Sequence, residues 1–318
     1  MRFGLMIEGQ EGIGWAQWRR LADACERVGL EGLFTSDHYL SVIGEPGRGS
    51  FDAWTVLAGL AATTSTLRLG TLVSPVTFRH PAVLAKVATT VDHISGGRVE
   101  IGLGAGWWAD EHRAHGFPFP RDADRMAMLE EQLEIVHRLL SADDDEVSFH
   151  GRFYRLERCA FVHRPVQRPR PPIIVGGKGG PRLARLVARW ADEFNTVGGT
   201  PREVRQRFAR VREAVDAVGR DQSTVTTSLM TWCYVGADER ELDARLRAAH
   251  ALDPSAGPFE GWLADLSRDC IVGTPDRAAE RLAEYAEAGA QRIFLNHELF
   301  DDLATVELLA EEILPRVA

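Results

Sequence analysis

Three short segments of this chain carry residues whose chemistry could serve a reaction. Ser36-Asp37-His38-Tyr39 sets a carboxylate beside an imidazole. Such a pair can orient one another and hold a ring N–H or lone pair against a ligand, as proton transfer or hydride chemistry near neutral pH requires. Local capping by Asp37 with a hydrogen-bonded, structural His38 is the plainer alternative. The run Gly102-Leu103-Gly104-Ala105-Gly106-Trp107-Trp108-Ala109 satisfies the G-x-G-x-x-G/A pattern, and glycines of this kind allow a backbone to approach a ligand closely. Gly176-Gly177-Lys178-Gly179-Gly180-Pro181 joins a glycine-rich turn and a lysine to the start of a helix. Unpaired N–H groups there would make an anion cradle. The spacing is not that of a Walker loop, and a merely flexible turn suits the local sequence equally well.

Other clusters point away from metal chemistry. His112 and His115, with Asp110 and Glu111, lack the H-E-x-x-H order and an evident third ligand, so they read as a solvated helix face. Arg182, Arg185 and Arg189 have the spacing of a second solvated stripe. The first strand ends in Glu8, without the paired histidines of a metal-dependent barrel hydrolase. Cysteines at 25, 159, 233 and 270 form no C-x-x-C pair; they suit buried thiols better than a disulfide framework or a zinc knuckle.

The elements that must position these groups follow from hydrophobic period. Short apolar runs at 3–7, 32–35, 67–73, 99–103, 173–175, 193–196, 225–235 and 292–296 alternate with amphipathic stretches of helical period. Met126, Leu129, Leu133, Val136 and Leu140, for example, mark one buried helix face. Eight strand-helix units without a composition break predict one (β/α)8 barrel domain over residues 1–318, ahead of a doubly wound sheet. Two insertions interrupt the rhythm: a hairpin near 146–158 around His150-Gly151, and an ordered excursion near 253–270 carrying Phe259 and Trp262. In a barrel, functional groups belong just after the strands. That is where all three segments fall. The glycine motif follows the fourth strand, and Asp122 and Asp124 beyond it open a helix instead of ending a strand, so it is no dinucleotide fingerprint.

Composition narrows the class further. With 45% hydrophobic and 26% charged residues in 318, a sizeable core is available and disorder is excluded. Lys and Arg number 37 against 46 Asp and Glu, a balance of −9, which argues against nucleic acid as partner. No stretch suits a signal peptide or a membrane span, so a reducing cytoplasm is the default expectation.

In combination the motifs are more specific than each is alone. Ser-Asp-His at 36–38, Leu-Arg-Leu-Gly-Thr-Leu-Val at 67–73, Arg-His-Pro-Ala at 79–82, Ile-Ser-Gly-Gly-Arg at 94–98 and the strand-4 glycine run occur in one order. Glu-His-Arg-Ala at 111–114, Pro-Pro-Ile-Ile-Val-Gly-Gly at 171–177, Ala-Asp-Glu-Phe-Asn at 191–195 and Val-Gly-Thr-Pro at 272–275 continue it. The chain resembles the luciferase-like monooxygenase superfamily, and within it the coenzyme F420-dependent oxidoreductases, over nearly its whole length. That resemblance implies a (β/α)8 barrel with a deazaflavin or flavin lying across the strand ends. It makes His38 a ring-facing, catalytic residue that binds the cofactor together with Asp37, and places Leu72 and Val73, joined by a cis peptide, as a bulge beneath the ring. Ala105, Gly106 and Trp107 would line one side, and Gly176, Gly177, Lys178, Gly179 and Gly180 would hold the phosphate. A homodimer acting on a small organic molecule is implied as well. Sugar-phosphate dehydrogenases of this branch carry a glutamate where this chain has Trp107 and a tryptophan where it has Val42, so alcohol oxidation by that acid–base arrangement is not expected. Hydride transfer with F420 is the leading expectation. An FMN-dependent monooxygenase and a flavin-binding barrel without turnover are the alternatives.

Overall fold

Each strand of a closed barrel meets helices on one face and the barrel axis on the other, so its side chains must satisfy two environments in alternation. The computed structural model describes residues 1–43, 47–141 and 145–317. In chain order come β1 (Arg2–Ile7), α1 (Trp15–Val28), β2 (Gly32–Thr35), α2 (Ala53–Thr63), β3 (Arg68–Thr71), the two-residue β4 (Ser74–Pro75) and α3 (Pro81–Ser95). Next are β5 (Val99–Gly104), α4 (Ala109–His115), α5 (Asp122–Ser141), β6 (Glu146–His150), β7 (Arg155–Ala160), β8 (Ile173–Gly176), α6 (Pro181–Trp190) and β9 (Glu193–Val197). The remainder is α7 (Pro201–Ala217), β10 (Thr226–Val235), α8 (Glu239–His250), α9 (Phe259–Asp269), β11 (Ile271–Gly273), α10 (Pro275–Glu287), β12 (Arg292–Asn296) and α11 (Leu303–Leu308).

Parallel pairing runs β1–β2–β3–β5–β8–β9–β10–β12 and closes from β12 back to β1, giving the expected (β/α)8 barrel. β6 and β7 form the expected antiparallel hairpin apart from it. The 253–270 excursion contains α9 and leads into β11, which lies parallel to the last three residues of β10. Prolines at the first turns of α3, α6, α7 and α10 start those helices where an N–H would have no partner. Thr200 and Glu203 add a reciprocal cap on α7. Among the described residues no helix is long and apolar enough to cross a membrane.

The two faces hold two cores. Leu5, Leu33, Leu69, Ile101, Val175, Phe194, Leu229 and Ile293 point outward into the main core under the helices. Met6, Phe34, Leu72, Ile174, Met230 and Phe294 point inward and fill the axis. Phe34 and Phe294 meet edge to face with centroids 4.7 Å apart. Opposite them the strands carry glycine: a Cβ on Gly70 would stand 2.5 Å from the Phe34 ring.

Beneath the rings, at the N-terminal end of the strands, Arg292 is fully buried. Its Nη1 donates to Glu100 at 2.6 Å and to Glu193 at 3.1 Å, and its guanidinium carbon lies 4.5 Å from the Phe294 centroid. Arg68 also holds Glu100. Burial favours the neutral acid at both carboxyls, but Glu100, held by Arg292 and Arg68, is kept below the usual range. Glu193 is pushed up to about 7 by burial, with Glu100 repelling it despite Arg292. Arg292→Ala would leave Glu193 buried without its cation and Glu100 with Arg68 alone. We expect it to destabilise the fold by about 3–5 kcal/mol in urea unfolding, with the deficit narrowing in acid as the carboxyls protonate.

Candidate active site

Past the end of β2 the chain turns over the C-terminal rim, and its first side chains are tied down there. Ser36 Oγ accepts from Gly9 N at 3.0 Å. Asp37, 1% exposed, accepts from Ser74 Oγ at 2.6 Å and from Arg79. Arg79 also bridges to Asp52 and donates to Tyr39 Oη at 3.1 Å. Burial works against the guanidinium, yet the charge of Asp37 raises its pKa further, so it stays charged. Asp37 therefore does not orient His38. It anchors the rim, and the Arg-His-Pro-Ala motif supplies its counter-ion.

The partner of His38 is Glu111, a residue read from the sequence as part of a solvated face. Glu111 is fully buried; its Oε2 lies 2.9 Å from His38 Nδ1, and its Oε1 accepts from Tyr39 N at 2.5 Å and Leu40 N at 3.2 Å. His112 is 1% exposed, with Nε2 2.6 Å from Thr77 Oγ1 and Nδ1 2.6 Å from the Trp108 carbonyl. The correction has a geometric cause. α4 does not belong to the outer ring; it packs its Glu111 and His112 side chains against the loops that follow β2 and β3. A signal was present, since the nine residues between Gly106 and Gly116, seven of them in α4, are too few for an outer helix and α5 already covers β5.

The pair sets the charge of the imidazole. Burial disfavours the imidazolium, but the hydrogen bond and charge of Glu111, helped by Glu8 and Asp37, raise the pKa of His38 above its ordinary value. Burial likewise works against the Glu111 carboxylate, and the bonds from His38, Tyr39 N and Leu40 N hold it below the usual range. With Nδ1 engaged, Nε2 is the nitrogen left to meet a ligand. Trp107 stands edge-on to the imidazole at 5.9 Å, stacks on Trp108 at 5.8 Å, and is 62% exposed. It is a broad apolar wall turned to solvent beside a histidine.

The floor of the mouth is formed by Leu72 and Val73, whose peptide bond is cis. Val73 reaches across two neighbouring strands: a Cβ on Gly104 would lie 2.6 Å from its Cγ2, and one on Gly176 2.8 Å from its Cγ1. A Cβ on Gly102 would lie 1.8 Å from the Thr71 carbonyl oxygen. The strand-5 glycines thus serve strand-to-strand fit. Ala105 and Gly106 continue the rim, half-buried, toward Trp107. Beyond Gly176, the Gly177 amide donates to Asn195 O at 3.0 Å and Gly179 O accepts from Arg210 at 2.8 Å. Gly180 caps α6 without a side-chain cap, and Lys178 is exposed. The first amides of α6 accordingly face outward without helical partners, next to a cation.

Sequence reasoning missed a second polar group on this face. Glu298, just past β12, accepts from Trp232 Nε1 at 2.8 Å and from the Tyr234 hydroxyl. No motif marks it.

A parallel eight-stranded barrel with this rim belongs to a recognisable class. The model of the luciferase-like monooxygenase family matches residues 1–292, and the chain belongs to that family. An F420-dependent glucose-6-phosphate dehydrogenase from Nakamurella multipartita is 30% identical over 336 aligned positions, which cover 100% of this chain and 96% of that relative. Among solved structures, an F420-dependent secondary alcohol dehydrogenase in complex with an F420-acetone adduct superposes with a TM-score of 0.83 at 22% identity, covering 100% of this chain and 99% of that one. A monooxygenase from Streptomyces bottropensis gives 0.81 at 27% identity, covering both chains completely.

The His38–Glu111 pair makes a specific prediction. Glu111→Gln removes the charge that outweighs burial, so the His38 pKa should fall below that of the native protein in an NMR titration. The stabilisation from His38 is fully present below its ordinary pKa and is lost as pH rises through its raised one. That from Glu111 is lost as pH falls through its lowered one. The native pair should therefore stabilise the protein most between those two limits, and the variant should lack that pH dependence.

Proposed function

We propose that this protein is an oxidoreductase that uses coenzyme F420 to move hydride to or from a small organic molecule. The observation that carries the reading is the arrangement at the mouth: an imidazole fixed through Nδ1 by a buried glutamate, beside an exposed indole, with Leu72 and Val73 at the strand end beneath. Val73 links that floor to Gly176, where the glycine loop and the α6 N-terminus begin. The residues fit an extended ligand with a flat ring and an anionic tail. Trp107 would wall the ring, with Ala105 and Gly106 beside it and Leu72 and Val73 beneath. Lys178 and the amides around Gly179 and Gly180 would hold the phosphate. A deazaflavin, when bound, supplies a carbon-centred hydride in place of the nitrogen chemistry of a flavin.

His38 would donate a hydrogen bond from Nε2 to the ring or the substrate, with Glu111 fixing its orientation. Asp37, buried and held by Ser74 and Arg79, would serve the site by fixing the rim. The choice of F420 over FMN is supported by the full-length relative that bears that cofactor in its name. In the same reading the enzyme is a homodimer of the cytoplasm, a setting in keeping with four free cysteines.

Anaerobic titration of the purified chain with each cofactor tests the reading; F420 should bind more tightly. Stoichiometric FMN on the purified protein with no measurable F420 affinity would replace it with a flavin monooxygenase, and tight F420 binding without turnover of any substrate would leave a binding protein. Lys178→Ala should weaken F420 binding by about fivefold at low salt, the weight of roughly 1 kcal/mol for an exposed ion pair, and by less at high salt. An equal loss at all ionic strengths would mean that the lysine acts through packing.

A further inference from the structure

A second space in the molecule has no part in the cofactor reading. A cavity of about 750 Å³ opens between α8 and the segments that follow β1, β2 and β12, and no residue assigned to the cofactor mouth lines it. That volume suits a small-molecule site. Ile43, Leu252, Leu299 and Phe300 reach it half-buried and give it apolar wall. Ala244 and Ala248, on the exposed side of α8, leave it open by their small side chains.

The charged groups of the wall do not balance. Glu11, Glu241, Glu298, Asp301 and Asp302 supply five carboxyls against two guanidiniums, Arg48 and Arg245. Both arginines are already engaged. Arg48 donates to Glu11 at 3.2 Å and to Leu252 O at 2.7 Å, and Arg245 is held by Asp302 at 2.5 Å and Glu241 at 2.7 Å. Asp301 takes Arg20 and Gln17. Glu298 is left over. It is 9% exposed, accepts from Trp232 Nε1 at 2.8 Å and from the Tyr234 hydroxyl, both neutral donors, and has no cationic partner among the described residues. Ionising a carboxyl buried in this way is costly until a positive charge reaches it. Burial accordingly pushes its pKa up to about 7; the Tyr234 and Trp232 bonds oppose the effect, and the charges of Glu8 and Glu11 add to it.

We propose that this cavity is a binding site for an organic cation, an amine with an apolar body, whose ammonium pairs with the carboxylate of Glu298. The wall discriminates among ligand classes. An anion would find each guanidinium taken by a carboxylate and would add to the surplus of negative charge. A neutral molecule would fill the apolar wall but leave Glu298 without a counter-charge. A bare metal ion lacks its ligands, since among the described residues no group of three or more His, Cys, Asp or Glu is placed to hold one. An amine answers both features: its ammonium offsets the surplus carboxyl, and its hydrocarbon part covers Ile43, Leu252, Leu299 and Phe300. Binding is linked to ionisation, because a cation beside Glu298 favours the carboxylate and so displaces the proton that burial retains. The site stands apart from the mouth and does not rest on the cofactor reading.

Three probes of one shape and different charge test this by calorimetry on the full chain: cyclohexylammonium, cyclohexanol and cyclohexanecarboxylate. The ammonium should bind about thirtyfold more tightly than the alcohol, the weight of a partly buried charge pair, and the carboxylate should not bind. Equal affinity for ammonium and alcohol, tighter binding of the carboxylate, or no binding of the ammonium would overturn the proposal. Glu298→Gln should bring the ammonium down to the affinity of the alcohol; an unchanged affinity would remove Glu298 from the site. Ala248→Trp should abolish binding by filling the cavity from α8, and binding that survives it would place the ligand elsewhere. The comparison of probes on the native chain, with Ala248→Trp on an exposed helix face, decides the matter even where Glu298→Gln fails to fold. Infrared difference spectra near neutral pH give a separate readout. Adding the ammonium should remove the band of a protonated carboxyl, a change missing from Glu298→Gln, whereas a band unchanged with the ammonium bound would overturn the pairing. The same affinities are expected with F420 present, and competition between F420 and the ammonium would overturn the assignment of a separate site.

Discussion

The width of the barrel axis is the constraint from which the site follows. Eight tilted strands leave an interior that a few side chains fill, so a large residue on one strand demands a small one opposite. Phe34 and Phe294 occupy the middle layer and leave glycine at 4, 32 and 70. One layer higher Val73 takes the space and leaves glycine at 104 and 176. These exclusions draw β3, β5 and β8 together at the C-terminal face. They bring the end of the glycine run at Trp107 and the start of the loop at Gly176 to the same mouth. Substituting any of these glycines would move a strand end, and with it a wall of the site.

Charges are buried in this protein in sets, and each set fixes a different part of the frame. Arg292 with Glu100 and Glu193, all buried, plugs the lower end of the axis. Arg79 with Asp37 and Asp52 pins the segment after β2 to the segment after β3. Glu111 then reaches that segment from α4 and satisfies two of its amides as well as the imidazole. The order matters for function: His38 can be oriented only because the backbone on either side of it is already held. A buried pair of this kind adds little net stability over apolar packing. Its value here is that it gives one nitrogen a fixed donor role and leaves the other free.

The His38 side presents an indole, a backbone floor and an anion cradle, features that suit a long, flat, phosphorylated cofactor. The cavity under α8 presents apolar wall and Glu298, a carboxyl that accepts from the neutral donors Trp232 and Tyr234. At the start of α6 a lysine is left exposed, whereas Arg48 and Arg245 in the cavity wall are paired with carboxylates.

Much of this was legible in the residues alone. Strand and helix positions follow from alternation and helical period, because burial on one face imposes a spacing that the chain must obey locally. The strand ends that form the mouth followed from the barrel, and the place of the glycine-rich turn at the rim from the proline-started helix after it. Partners did not follow. Asp37 sits next to His38 in sequence, yet its carboxylate turns to Ser74 and Arg79, while Glu111, distant in sequence, turns inward to the imidazole. Likewise the G-x-G run reads as a ligand motif, but Gly102 and Gly104 are needed because Thr71 and Val73 lie against them. Glu298 had no local mark at all. Sequence by itself determined which segments are strands, which are helices and which loops lie at the functional end, since those depend on short-range spacing. Which carboxylate meets which base, and which glycine serves a neighbour in place of a ligand, was decided only when closure of β12 onto β1 brought distant segments within hydrogen-bonding distance.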